Sequence, residues 1–371
     1  MAAFSILLIG LSLAYANGAN DNFKGVATLF GSGSSDYKRA LLWATVTTFA
    51  GSVTALYLAK TLLVAFSGKG LVPDEVVTLT TYSTSVGFAT ALTVLLATRL
   101  GFPISTTHAL IGGLIGAGLL ASPEGVNFSK LASGFFLPLL VSPFVSVFLA
   151  SILYPTLSKI RKSASIKKES CICVNCSTDA GQISGSEAVL KERALPSLVI
   201  GTKEECTGTY SGTLAGVEYS SILDKAHYLS AGMVSFARGL NDTPKIAALI
   251  LAGAAFGPVF SIAGVGVFMA MGGLISAKKV AETMSLKVTD MSAGQGFSAN
   301  LVTGFLVIAA SRFGMPVSTT HVSVGSLIGI GFATRRAHYQ TIAQIVLAWV
   351  ITLPVAALFG GMSFIFLNRL F

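Results

Sequence analysis

Two short runs carry residue types able to do chemistry. Pro103, Ser105, Thr106, Thr107 and His108 spell P-x-S-T-T-H, and Pro316, Ser318, Thr319, Thr320 and His321 spell it again 213 residues later. Over 103–116 and 316–329, nine of fourteen positions are identical. Proline inside a helix forfeits a hydrogen bond and pushes the preceding residue toward extended backbone, so a helix is expected to begin just after each one. Ser105 and Ser318 then fall at the N-caps. Each such start presents unpaired N–H groups and hydroxyls to one small volume and behaves as roughly half a positive charge. Two of them facing each other would hold an oxyanion. A single Ser/Thr patch on an apolar helix is more often an interhelical contact, but duplication of Pro, Ser, Thr, Thr and His favours a joint site. Its donors would be Ser105, Thr106, Thr107, Ser318, Thr319 and Thr320. His108 and His321 stand three residues beyond the caps, where a structural hydrogen bond and a part in ligand contact or proton transfer are both open.

The opposite charge comes from GANDN at 18–22 and GLNDT at 239–243, each with a lysine three residues after its aspartate, Lys24 and Lys245. Asp21 and Asp242 lie in apolar stretches, where an ionised carboxylate must be paired or bind a cation. An i,i+3 ion pair with the lysine is one solution. Asn20, Asn22 and Asn241 add amide oxygens, and helix breaks near Gly18 and Gly239 would free carbonyls. Together these make the hard oxygen shell that suits a small cation such as sodium. Asn300 either completes that shell or is a packing amide.

What must position these residues is a set of membrane spans. Hydrophobic residues make up 53% of the 371-residue chain and charged residues only 11%, with mean hydropathy +0.75. Soluble domains carry about a quarter charged residues, so the solvent here is the lipid bilayer. The net charge of +9 gathers in loops and not on a basic and aromatic face, which argues against nucleic acid as a partner. Ten apolar stretches meet the length of a span. They are 1–35 (interrupted), 40–66, 76–98, 103–120 and 128–154, then 226–257 (also interrupted), 261–284, 293–311, 314–333 and 341–368. The expected fold is an all-α polytopic membrane protein with discontinuous helices and about 10–12 transmembrane segments. Residues 1–154 form a first repeat, 155–225 a hydrophilic loop or domain, and 226–371 a second repeat. Five spans per half make the second repeat enter from the opposite side, so the repeats are inverted. Loop charges point the same way. Lys38 and Arg39 follow the first Asn-Asp motif while the equivalent 257–261 is uncharged; Arg335 and Arg336 follow the second S-T-T-H run while 121–127 offers only Glu124. With basic loops cytoplasmic, the central stretch, which opens with Lys159, Arg161 and Lys162, is cytoplasmic too. The first span runs into Asn17 with no charged leader or cleavage site and reads as retained.

At these motifs the chain resembles the inorganic phosphate transporter family, a group of cation–phosphate symporters. The resemblance rests on GANDN, GLNDT, PISTTH and PVSTTH, with Thr61 and Thr283 a weaker pair, and leaves the central loop uncovered. It implies a multi-pass carrier of the cell (inner) membrane, often a homodimer, that imports phosphate with sodium or, alternatively, protons. By position, Asp21 and Asp242 resemble the family's essential aspartates, and the Ser-Thr-Thr triplets its substrate-binding segments. Some relatives carry glutamates where this sequence has Thr48 and Asn300, and asparagine where it has Lys24. Phosphate near neutral pH holds between one and two negative charges, more than two helix starts offset, so cotransported cations or Lys24 and Lys245 must supply the rest. Sodium is the favoured cation, and no resident cofactor is expected. Phosphate also keeps a proton for an acceptor such as Asp21 or Asp242, which sulfate lacks. A sulfate or other oxyanion symporter of the same architecture is the alternative. An anion channel and an enzyme built on Ser105 and His108 fit the duplicated pattern less well than alternating access without catalysis.

Cys171, Cys173, Cys176 and Cys206 all lie in the central loop. A cytoplasmic setting leaves open a thiolate metal site or ordinary reduced cysteines, and disfavours disulfides.

Overall fold

The computed structural model describes residues 2–164, 170–175, 197–202, 217–252 and 256–370. Met1–Tyr154 together with His227–Phe371 form one compact unit, and Pro155–Ala226 another. In the first half of the chain α1 (Ala2–Asp21) passes through a buried 3-10 turn, Asn22–Gly25, into α2 (Ala27–Gly31). Then come α3 (Tyr37–Leu58), α4 (Lys60–Ala65), α5 (Asp74–Thr78), α6 (Thr80–Leu100) and α7 (Thr106–Ala121). A short α8 (Phe128–Leu131) continues through a π turn, Ala132–Phe136, into α9 (Leu137–Ser163). The second half contains α10 (Tyr219–Ala252), α11 (Pro258–Ser276), α12 (Lys278–Leu286), α13 (Ala293–Arg312), α14 (Thr319–Thr334) and α15 (Tyr339–Leu370).

Among the described residues, six helices are long and apolar enough to cross a membrane: α3, α6, the α8–α9 run, α11, α13 and α15. The interior of the larger unit holds its polar groups, while Phe144, Phe148, Phe305 and Phe366 are exposed on the outside, the reverse of a water-soluble surface. At 16 residues each, α7 and α14 are about 24 Å long and fall short of a hydrocarbon core of about 30 Å. Their starts therefore lie inside the protein's membrane layer, with the extended residues before them buried among other helices, the one setting in which non-helical backbone is tolerated there.

The structure corrects one expectation. The stretch 226–257 is not interrupted at Gly239: α10 is one continuous α-helix through Gly239 and Pro244 to Ala252. The glycine serves contact instead, since a Cβ there would strike the Thr48 carbonyl, and in an apolar medium the backbone keeps its intrahelical bonds. In the first half a break does occur, but at Asn22–Gly25, starting at the motif's last residue, and Gly18 lies within α1. The larger unit is all-α among its described residues, as expected. The smaller unit holds a three-stranded antiparallel sheet of Ser170–Asn175 between Ser197–Thr202 and Val217–Glu218. Cys171 and Cys173 fall on its first strand; Cys176 and Cys206, and with them the expected thiolate site, lie outside the described residues.

Close helix contacts in the larger unit come in reciprocal pairs. Gly18 abuts the Met269 carbonyl and Gly239 the Thr48 carbonyl. Likewise Gly112 and Gly116 of α7 abut Leu353 and Ala357 of α15, while Gly325 and Gly329 of α14 abut Pro143 and Val147 of α9. Each motif helix thus packs on a helix from the other half. A side chain at any of these glycines would hold the backbones apart.

Candidate functional site

The two P-x-S-T-T-H segments meet. Ser105 and Ser318 have extended backbone (φ −92°, ψ 111° and φ −98°, ψ 117°), and each hydroxyl accepts the backbone N–H three residues on, from His108 at 3.1 Å and His321 at 3.2 Å. These are serine N-caps, and they leave the first turns of α7 and α14 with N–H groups that need an acceptor. Thr106, Thr107, Thr319 and Thr320 are all buried. The Thr107 hydroxyl lies 3.4 Å from the Val317 carbonyl and the Thr320 hydroxyl 2.9 Å from the Ile104 carbonyl, so each half-helix start touches the extended segment leading into the other.

The lysines lock this crossing. Lys24 Nζ donates to Asp21, to Asn20 Oδ1 at 2.8 Å, to the Ile104 carbonyl at 2.8 Å and to Thr320 Oγ1 at 2.7 Å. Lys245 Nζ donates to Thr107 Oγ1 at 2.8 Å and to the Val317 carbonyl at 2.8 Å, with Asp242 Oδ1 at 3.5 Å. Each ammonium group joins its own aspartate and its own half's carbonyl to the threonine of the opposite half. The flanking amides repeat the symmetry within each half: Asn20 donates to Thr98 and Asn241 accepts from Ser311, residues at matching places near the ends of α6 and α13.

One contributor breaks the symmetry and was not singled out from the sequence. Arg238, directly before GLNDT, is fully buried and donates to Asn17 Oδ1 at 2.5 Å and Asn22 Oδ1 at 3.0 Å, with its Nε 3.8 Å from Asp242 Oδ2. In the first half the residue before GANDN is Asn17, whose amide faces Asp21 Oδ2 at 3.0 Å, Thr106 Oγ1 at 3.0 Å and Asp242 Oδ2 at 3.3 Å. A basic residue abutting an Asn-Asp motif within an apolar span was the available signal.

Asn300 stands apart from this network. Its amide pairs with Thr28 and Ser230, and Thr28 in turn meets His227 at 3.0 Å, a separate buried polar cluster. The histidine rings of the two motifs lie 4.5 Å apart, and His321 stacks 4.0 Å from Trp349, whose indole donates to the Pro103 carbonyl at 3.0 Å.

Two converging half-helix starts, lined by hydroxyls and framed by buried Lys, Arg and Asp within a polytopic membrane protein, form an arrangement able to hold an anion. The comparisons give the chain its family. Residues 17–360 match the phosphate transporter family, and the chain belongs to it. Its members are transporters, not enzymes. The chain is 28% identical to a protein of Pyrococcus abyssi named as a candidate phosphate permease, over 96% of each. It is 27% identical to the chloroplastic inorganic phosphate transporter 2-1 of Arabidopsis thaliana, over 96% of this chain and 70% of that one. A solved structure, "The sodium-dependent phosphate transporter", shares the fold with TM-score 0.78 over all of both chains at 22% identity.

Proposed function

We propose that this chain imports inorganic phosphate by alternating access, with cations moving alongside, and that the anion is held jointly by the starts of α7 and α14. The observation that carries the reading is the crossing of the two S-T-T segments, with Thr107 and Thr320 each bonded into the opposite half. In this reading Ser105, Thr106, Thr107, Ser318, Thr319 and Thr320 surround the phosphate with backbone N–H groups and hydroxyls, and Lys24 and Lys245 add positive charge. The reciprocal glycine contacts support two inverted repeats that rock against each other around this point. Lys38, Arg39 and Lys278 line one surface pocket together with Asp36 and Glu282, which supports a shared face for these basic loops. Sodium is the cation that the likeness to a sodium-dependent phosphate transporter favours. A homodimer in the cell membrane is part of the same proposal.

The test is uptake of labelled phosphate into proteoliposomes under separately imposed sodium and proton gradients, with sulfate as competitor. Saturable accumulation driven by one gradient and insensitive to sulfate is expected. Uptake abolished equally well by sulfate would establish the wider oxyanion carrier, and flux that never saturates would indicate a channel.

A further inference from the structure

Five ionisable side chains of the Asp, Glu, Lys and Arg types are buried among the described residues: Asp21, Lys24, Arg238, Asp242 and Lys245. All belong to the crossing. Three cations against two carboxylates leave one net positive charge, and protonation of His108 or His321 would only add to it. The starts of α7 and α14 contribute roughly half a charge each, so these groups together carry about two positive charges. That equals the charge of a phosphate dianion.

The carboxylates themselves are also taken. Asp21 receives Lys24 on one oxygen and Asn17 and Thr106 on the other; Asp242 receives Asn241 and Lys245 on one, with Asn17 and Arg238 facing the other. Lys24 Nζ in particular sits among four oxygens, from Asn20, Asp21, Ile104 and Thr320, which is the donor set a bare cation would seek. A second unit cation about 4 Å from an ammonium group, at an effective dielectric of about 20, is repelled enough to weaken its binding on the order of a thousandfold. Sodium does not fit these shells while the lysines fill them.

We propose that Lys24, Lys245 and Arg238 are built-in counter-cations that take sodium's place at Asp21 and Asp242, so that phosphate binding at the paired helix starts needs no sodium. The inference rests on the phosphate reading and narrows its cation part. A cotransported cation then binds outside these two shells.

The test is equilibrium binding of labelled inorganic phosphate to the full chain in nanodiscs, in sodium, potassium or choline chloride at equal ionic strength. Affinities within about twofold of one another are expected. Weakening of about tenfold or more on replacing sodium by choline overturns the proposal. The double variant Lys24→Asn/Lys245→Asn is expected to bind phosphate at least about tenfold more weakly in choline and to recover in sodium, because a mobile cation can then enter. Wild-type affinity of that variant in choline also overturns it. Absence of phosphate binding by the wild-type chain in every salt sinks the phosphate reading itself, and this inference with it.

Discussion

The two Asn-Asp motifs look alike in sequence and sit in different surroundings. The first follows Asn17 and leads into a 3-10 turn; the second follows Arg238 and stays in an unbroken helix. Asn17 is a neutral amide shared between Asp21 and Asp242, whereas Arg238 spans from Asp242 back to Asn17 and Asn22. The difference teaches that symmetry governs where the motif helices meet, while charge is distributed unequally between the halves. A single substitution in a duplicated pair is enough to turn a balanced site into one with a standing positive charge.

Substitutions at paired positions can break or sharpen that comparison. Arg238→Leu removes a buried guanidinium and leaves the Asn17 and Asn22 side-chain oxygens without its charged hydrogen bonds, with an expected cost of about 3–5 kcal/mol. Asn17→Leu removes neutral hydrogen bonds and is expected to cost about 1–3 kcal/mol. Thermal unfolding in detergent measures both; equal losses would mean that the asymmetry is not one of charge. Gly116→Leu and Gly329→Leu push equivalent helix pairs apart, at α15 and α9, and each is expected to cost about 1–3 kcal/mol or more. The two should agree closely, and a large loss at only one of them would show that the reciprocal packing is not equally used. Ser105→Ala and Ser318→Ala each remove a cap, at about 1 kcal/mol apiece, and both should weaken phosphate binding. Smallest of all, Asn300→Ala lies in the separate Thr28 cluster and is expected to change phosphate affinity by less than about twofold. A tenfold loss, read by the same binding assay, would place Asn300 in the site after all.

Much of this was legible in the sequence because local rules decide it. Pro103 and Pro316 dictate where α7 and α14 begin, Ser105 and Ser318 cap them, and the glycines of both helices mark where backbones touch. The pairing of Lys24 with Asp21 at i,i+3 spacing also follows from helix geometry. What escaped depends on distant partners. The Nη1 and Nη2 groups of Arg238 bond Asn17, Asn22 and Thr48, all in the other half of the chain, and no local pattern announces them. The continuity of α10 escaped for a related reason: Gly239 and Pro244 are helix-breaking types, and packing against Thr48 overrides that preference. The placement of Asn300 escaped as well, because an amide in an apolar helix reads the same whether its partners lie at the site or in another cluster.

The most direct test of a jointly held anion is the structure of the full chain with phosphate bound, by electron cryo-microscopy. The account predicts tetrahedral density between Thr106 and Thr319, contacting N–H groups from the first turns of both α7 and α14. Density resting on one helix start alone, or away from both, would contradict it.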